Sequence, residues 1–335
     1  MGNSGVTRIP REKASKYFDT YVFRLGDFQL ISVLDGVLTA DCAAILNGAP
    51  PDELARLLAS HGLTGNSTIQ IPWTVLFVDT GKNKVLIDTG MSRTYVDVWP
   101  APPDGTSSTA PAQRPRRAFI SGHPVDCGHL LENLRYVDIK APEIDTVIIT
   151  HAHADHIGGL VDPRSDKPAF PNARVVMWKE EWQFYMENAD ALSRMNRMAR
   201  GPVPETVQLE YARQCLAPIR EQVTLVDSEE TDIVPGLRYL NAHGHSYMMG
   251  VVVTSGKEKL LHIGDAAILT VQLERPEWLY TTDLDKEQAA VSRRRLCEWS
   301  IANDALVASP HFPFPGLGHI ERKEAGYRWQ PATTR

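Results

Sequence analysis

The chain predicts an α/β fold in which two β-sheets pack face to face with helices on their outer faces. Three observations predict it. Apolar, β-branched segments come first in each half of the chain, and helical patterns follow them. The halves repeat that order in a similar way, without any short repeat of solenoid type. Finally, 43% hydrophobic and 23% charged residues over 335 positions are enough to bury a sizeable core.

The elements follow in order. Residues 1–20 read as an N-terminal extension that packs on the body or serves an oligomer, and residues 21–335 as a single domain. From Tyr21, YVFRLGDFQLISVLDG and later STIQIPWTVLFVDTGKNKVLIDTG read as strands, with Thr80-Gly81-Lys82-Asn83 as a hairpin turn. Between them PPDELARLLASHG reads as an amphipathic helix stopped by Gly62. Residues 98–118, rich in Pro, Ser, Thr and Ala, read as a mobile surface loop placed to lie over the site. GHLLENLRYVDI is a helix, DTVIIT and ARVVMW are strands, and KEEWQFYMENADALSRMNRM and ETVQLEYARQCLAPIREQ are helices. TLVDSEETDIVPGLRYLNAHGH and MGVVVTSGKEKLLHIGDA return to strands, DKEQAAVSRRRLCEWSIAN is helical, and DALVASPHF is the closing strand.

Composition narrows the function. A net charge of −6 and the lack of a basic cluster argue against nucleic-acid and anionic-membrane partners. Cys42, Cys127, Cys215 and Cys297 are far apart and lack any C-x-x-C spacing, so they read as reduced, structural thiols. No apolar run approaches a membrane span, no secretory h-region opens the sequence, and Val6 stands where a myristoylation signal wants Ser or Thr. A cytoplasmic protein acting on a small molecule, and forming a homodimer, is the expectation.

The chemistry gathers at strand ends. THAHADHIGG, residues 150–159, sets three histidines and an aspartate directly after the buried-strand pattern Val147-Ile148-Ile149, and Gly158-Gly159 is expected to allow a sharp change of direction. His151 and His153 alternate by two, so they point the same way if strand geometry persists, while Asp155 and His156 turn toward a neighbouring point. Three further strands, LRYLNA, KLLHIG and DALVAS, run into His245, Asp265 and His311. Imidazole and carboxylate are the ligands of zinc and related divalent ions, and the count suffices for two of them. Of the remaining histidines, His243 reads as orienting a ligand or loop, His262 as a core histidine, and His319 as a cap on the PGLGH turn; His61, His123 and His129 have no supporting context.

With a later GH(S/T), a GD and a terminal His, these motifs resemble the metallo-β-lactamase superfamily from about Tyr21 onward. The resemblance implies an αββα sandwich of two mixed sheets. It also implies His151, His153 and His245 on one metal, Asp155, His156 and His311 on the other, and Asp265 bridging both. Two divalent ions follow as cofactors, zinc by default, with Mn, Fe or Co as substitutes. GDAAILTVQLERPEW, DLDKEQAAVSRRR and HFPFPGLGHIERKEAGYRWQP are similar to the methyl parathion hydrolase branch, near the quorum-quenching lactonases. Asp265, where some β-lactamases carry Cys, argues against antibiotic hydrolysis. Two departures stand out. The usual G-H-T-P-G-H reads Gly244-His245-Ser246-Tyr247-Met248-Met249, without its second His. Ala266-Ala267-Ile268-Leu269 lacks the Tyr that small acyl-homoserine lactonases carry after the bridging Asp.

The expected reaction is hydrolysis of a lactone, aryl ester or phosphotriester by a hydroxide bridging the metals. Asp265 sets the spacing and Asp155 passes a proton to the leaving group. A dedicated acyl-homoserine lactonase is the alternative, and an iron-dependent oxidoreductase on the same scaffold a more distant one. Tyr247, Met248, Phe312 and Phe314, which adjoin ligands, and Phe119 beside the 98–118 loop, are the candidate substrate-binding residues. Trp178 and Trp182 read as packing.

Overall fold

The computed structural model describes residues 20–46, 49–92, 118–120, 123–191, 195, 205–278, 280, 282–323 and 325–332. Nearly all of the expected extension and of the 98–118 loop lies outside them.

The first sheet grows from long alternating segments. β1 (Thr20–Leu25) and β2 (Phe28–Asp41) form a hairpin, and β2 pairs antiparallel with β3 (Thr68–Asp79), which turns at 80–83 into β4 (Lys84–Ile87). Helices α1 (Cys42–Ile45) and α2 (Pro51–Ser60) fill the β2–β3 connection. The short β5 (Ala118–Ile120) and β6 (His123–Asp126) extend the β2 edge. On the other side β7 (Thr146–Ile148), β10 (Arg174–Trp178) and β11 (Val223–Val226) join in parallel, giving the order β11-β10-β7-β4-β3-β2-β6-β5 with β1 also on β2. β8 (Val161–Asp162) and β9 (Lys167–Pro168) form a separate small ribbon.

The second sheet runs β12 (Asp232–Val234), β13 (Leu237–Asn241), β14 (Met249–Ser255), β15 (Glu258–His262), β16 (Leu306–Ala308), β17 (Leu317–Lys323) and β18 (Gly326–Pro331). Only β15 and β16 are parallel among its described pairs.

Side-chain alternation sets the layers. Leu76, Val78, Ile148 and Val176 of the first sheet meet Tyr239, Val251 and Val253 of the second in one core. Their neighbours Phe77, Val147 and Val175 point outward, under α3 (Leu130–Tyr136), α5 (Lys179–Met186) and α6 (Glu205–Leu216), where Leu134, Trp182 and Leu216 cover them. Val252, Leu261 and Val307 face outward under Leu296 and Cys297 of α7 (Lys286–Ala302). This is the αββα sandwich. Tyr239 crosses it, its hydroxyl lying 2.8 Å from the Ile149 carbonyl and 2.9 Å from that of Val176.

Three expectations change. The chain does not end its sheet at DALVASPHF, because LGHIERK and GYRWQP add the β17–β18 hairpin. His319 therefore pairs opposite Gln330 within β17 and caps no turn. The helix expected over 179–198 is interrupted: its first part ends at Met186, with the Glu187 and Asn188 amides turning back to the Gln183 carbonyl, and Ala191 and Met195 are helical again. All four cysteines are buried and free. Among the described residues no helix is long and apolar enough to cross a membrane.

Candidate metal centre

The ligand-rich loop leaves β7 and closes in one helical turn, α4 (Ala154–Ile157). Gly158 and Gly159 serve a different purpose from the one expected of them. Gly158 keeps an ordinary helical φ of −59°. A Cβ there would sit 2.3 Å from the Ser92 amide, and one on Gly159 would sit 2.2 Å from the Thr89 carbonyl. The pair lets the loop after β4 pack closely rather than turning the chain sharply.

The structure brings His151, His153, His245 and Asp265 into one group, and Asp155, His156, Asp265 and His311 into another, every donor atom within 4.8 Å of the others in its group. In the first group His153 Nδ1 lies 3.1 Å from His151 Nε2 and 2.9 Å from His245 Nε2. Asp265 Oδ2 stands 3.3 Å from His245 Nε2 and 3.7 Å from His151 Nε2. In the second, Asp265 Oδ1 stands 3.0 Å from His156 Nε2 and 2.9 Å from His311 Nε2. Asp155 Oδ2 is 3.7 and 3.6 Å from the same two nitrogens. Donors placed about 2.0–2.1 Å from a tetrahedral cation stand about 3.3 Å apart. The observed separations straddle that value, and each Asp265 oxygen faces a different group. The residues fit a dinuclear divalent metal site.

The ring orientations are fixed from behind. His156 Nδ1 donates to Asp88 Oδ2 at 2.8 Å, His245 Nδ1 to Asp283 Oδ1 at 2.9 Å, and His311 Nδ1 to the Pro72 carbonyl at 2.9 Å. Thr150 Oγ1 donates to Asp88 and so accepts from His151 Nδ1, at 3.1 Å. Each arrangement leaves the Nε2 lone pair aimed into the site. Glu181, 1% exposed, accepts from the Ala152 amide at 2.7 Å and the Tyr247 amide at 2.9 Å, tying the two histidine loops together.

Electrostatics separate the rings. Burial, with the neighbouring imidazoles, holds His151 and His153 well below the usual histidine range. Burial also pushes His245 down, but hydrogen bonds and charges from Asp265 and Asp283 outweigh it and lift the ring to about 9. Asp265, Asp155 and Asp88 likewise outweigh burial at His156, and Asp265 and Asp155 do so at His311, so both rise. Asp265 falls well below the carboxylate range, because His156, His311 and His151 together overcome its burial. A cation bound at these nitrogens competes with their protons. Burial lifts Glu181 to about 7 against the pull of its two amide donors.

The proposed walls fare less well. Met248 and Phe312 are fully buried in the core beneath α7; the Met248 sulfur accepts the Asp265 amide and Phe312 packs on Trp329, so neither lines a pocket. They adjoin ligands along the chain, but the alternation that aims a ligand into the site aims its neighbour away. Tyr247 is partly buried, its ring 5.7 Å from both Phe184 and His243. Phe314 packs partly buried on the core between the sheets. Phe119 lies in β5, and its side chain is outside the described residues. His243 points between Trp178 and Tyr247, and its amide donates to Asn241 Oδ1. His262 is buried in β15, as expected of a core histidine. His61 and His129 pair with Glu274 and Asp126.

Sequence reasoning missed Asp88, Asp283, Glu181 and Tyr280, whose ring stacks on His245 at 5.9 Å and 18°. Asp88 could have been found, because VLID is one more apolar strand running into an acid. The others sit in a helix or an irregular segment and carry no such mark.

A sequence profile described as the metallo-beta-lactamase superfamily matches residues 71–296. In structure the chain is similar to AidC, described as a dizinc quorum-quenching lactonase in complex with a product, with a TM-score of 0.79 over 96% of this chain and 100% of that one, at 24% identity. In sequence it is similar to the anti-Pycsar protein Apyc1 of Paenibacillus harenae, 24% identical over 177 residues, 45% of this chain and 66% of that protein. The protein of the same name from Bacillus phage BSP38 is 54% identical over 45 residues, 12% of this chain and 18% of that protein. The chain thus spans less than two thirds of either relative's length.

Proposed function

The chain belongs to the metallo-beta-lactamase superfamily, and from that premise we propose that it is a dinuclear metal-dependent hydrolase of lactones, aryl esters or phosphotriesters. The observation that carries the proposal is the pair of interlocked donor groups with one Asp265 oxygen turned to each. His151, His153 and His245 would hold one ion, and Asp155, His156 and His311 the other. When bound, the ions supply Lewis acidity toward the substrate oxygen and ionise water near neutral pH. Asp265, with one oxygen turned to each group, would fix their separation. His151, His156, His245, Asp265 and His311 are buried, whereas His153 and Asp155 are partly open, so the substrate approaches along the His153–Asp155 edge. Asp155, its side chain 20% exposed, can carry a proton from that edge to the leaving oxygen.

Similarity to AidC favours a lactone among the candidate substrates, and the tail motifs that resemble methyl parathion hydrolase favour aryl esters and phosphotriesters. The deciding measurement is kcat/KM of the metal-loaded protein on an acyl-homoserine lactone, a nitrophenyl ester, a dialkyl nitrophenyl phosphate and a β-lactam. Turnover of at least one of the first three, with the β-lactam slowest, is expected. Dominant β-lactam turnover, or oxygen consumption with a thiol substrate, would overturn the proposal.

A further inference from the structure

Arg293 of α7 is sealed inside the protein, 1% exposed. A buried guanidinium is costly unless its donors are met, and here they are met by one segment of chain. Its Nε donates to the Ala266 carbonyl, and its Nη1 lies 2.6 Å from both the Pro276 and Trp278 carbonyls. Its Nη2 stands 4.0 Å from Asp283 Oδ2. That segment begins beside Asp265, the carboxylate common to both groups, and ends at Asp283, the acid behind His245. Between them, the Tyr280 amide donates to Asp283 Oδ2 at 2.9 Å while its ring lies along His245.

The start of α7 grips the His245 loop as well. The Leu284 amide donates to the His245 carbonyl at 3.1 Å and the Asp285 amide to that of Gly244 at 2.8 Å. Ser292, beside Arg293, donates to the His243 carbonyl at 2.5 Å. Gly244 has φ +131°, and a Cβ there would lie 2.1 Å from the Ala289 amide, so the loop and the helix touch main chain to main chain. The other metal-facing rings do not depend on this clamp: His156 rests on Asp88 and His311 on Pro72.

We propose that Arg293 is a positioning residue for one half of the metal centre. By holding the carbonyls of Ala266, Pro276 and Trp278 it sets Asp283 and Tyr280 against His245, and so governs the affinity of the His151–His153–His245 subsite more than that of the Asp155–His156–His311 subsite, which shares only Asp265 with the clamped segment. The inference rests on the dinuclear reading above.

The test is titration of the full-length, chelator-stripped protein with zinc or cobalt(II), for the unsubstituted protein, Arg293→Lys and Arg293→Gln, with Tm recorded alongside. Two ions per chain are expected for the unsubstituted protein. In Arg293→Lys one of the two should bind about 10- to 100-fold more weakly, as is usual when support behind a ligand is lost. The cobalt(II) spectrum should then lose the component of the histidine-rich subsite first. Arg293→Gln should weaken that ion further; should it fail to fold, Arg293→Lys decides. A guanidinium that merely stabilises the fold would lower Tm without splitting the two affinities. Equal weakening of both ions, or of neither, overturns the inference. Fewer than two ions on the unsubstituted protein would instead overturn the dinuclear reading itself.

Discussion

His156 and His311 are held by groups that the first sheet delivers directly, whereas His245 is held by a side chain at the end of a long excursion. Asp88 follows β4 in a left-handed conformation, φ 63°, and accepts both the Thr150 amide and His156 Nδ1. Pro72 lies within β3, so its carbonyl can move only with the strand. Asp283 has no strand beneath it and relies on Tyr280 and Arg293 to stay in place. The two halves of one cluster thus differ in rigidity as well as in donors, three imidazoles in one and two with a carboxylate in the other. A bracing carbonyl in a sheet cannot be mutated away, and a bracing side chain can.

Asp265 is the one group both halves need, so its loss should have the largest effect. Asp265→Asn keeps the volume and removes the charge that two cations share. One oxygen also becomes an amide that cannot serve as a donor atom. The loss of metal-assisted stabilisation, several kcal/mol, corresponds to a fall of about 10³-fold in kcat/KM. Steady-state kinetics with metal analysis checks it. A variant with normal turnover and two bound ions would show that Asp265 is not shared.

The contrast itself is sharpened by treating the two braces alike. Asp88→Asn and Asp283→Asn each turn an amide toward an imidazole N–H that needs an acceptor. Each should weaken one ion by about 10- to 100-fold. Asp88→Asn should act first on the Asp155–His156–His311 subsite, where it touches His156 directly, and more weakly on His151 through Thr150, whereas Asp283→Asn should act on the His151–His153–His245 subsite. If both substitutions release the same ion first in competition with a chelator, the division into independently braced halves is wrong.

The sequence revealed one layer of this arrangement more readily than the other. The seven donors were legible because they follow apolar strands, where a His or Asp stands out against the buried run before it. The sandwich was legible from the same runs, since pairs such as Val147 and Ile148 feed opposite faces. The braces were not. Glu181 lies in KEEW, where adjacent acids read as a solvated face, and only the packing of α5 buries it. Met248 and Phe312 misled because nearness in sequence to His245 and His311 was taken for nearness to a substrate. The β17–β18 hairpin escaped because the Glu321-Arg322-Lys323 run, at its exposed edge, masks the strand pattern of LGHI.

Asp35 offers a control away from the cluster. It is the residue skipped where β2 changes register between Leu34 and Gly36, and it accepts from the amides of Met91, Gly128 and Leu130. Burial, only partly offset by those amides, raises its carboxyl from 3.8 to about 6. The folded-state value lies above the unfolded one, so the stabilising contribution is full below pH 3.8 and is lost as pH rises through about 6. The loss is on the order of 3 kcal/mol. Asp35→Asn cannot titrate. Its deficit against the unsubstituted protein in urea unfolding should therefore shrink between pH 4 and pH 7, with metal content unchanged. A pH-independent difference would show that Asp35 ionises as freely as in the unfolded chain.

Met249 carries the smallest expected effect on the site. It stands where the family's usual motif has a second histidine, so Met249→His would restore that pattern. Among the described residues, the side chain at this position packs in the apolar cluster between the sheets. Met249 is fully buried in β14, opposite Asn241, among the apolar side chains between the sheets, and its amide is already spent on the Thr150 carbonyl at 3.0 Å. An imidazole there loses its hydration and meets Val and Leu neighbours, which costs about 1–3 kcal/mol in stability. The Thr150 contact is main chain to main chain, so the loop bearing His151 keeps its anchor. Affinity for both ions should stay within about twofold of the unsubstituted protein, because changes that leave both ligands and their braces intact lie outside the range of supporting-residue effects. Isothermal titration with zinc after chelation measures this directly. A clear gain in affinity would mean that position 249 reaches the metal centre, and that the inter-sheet packing around it rearranges to let a histidine through.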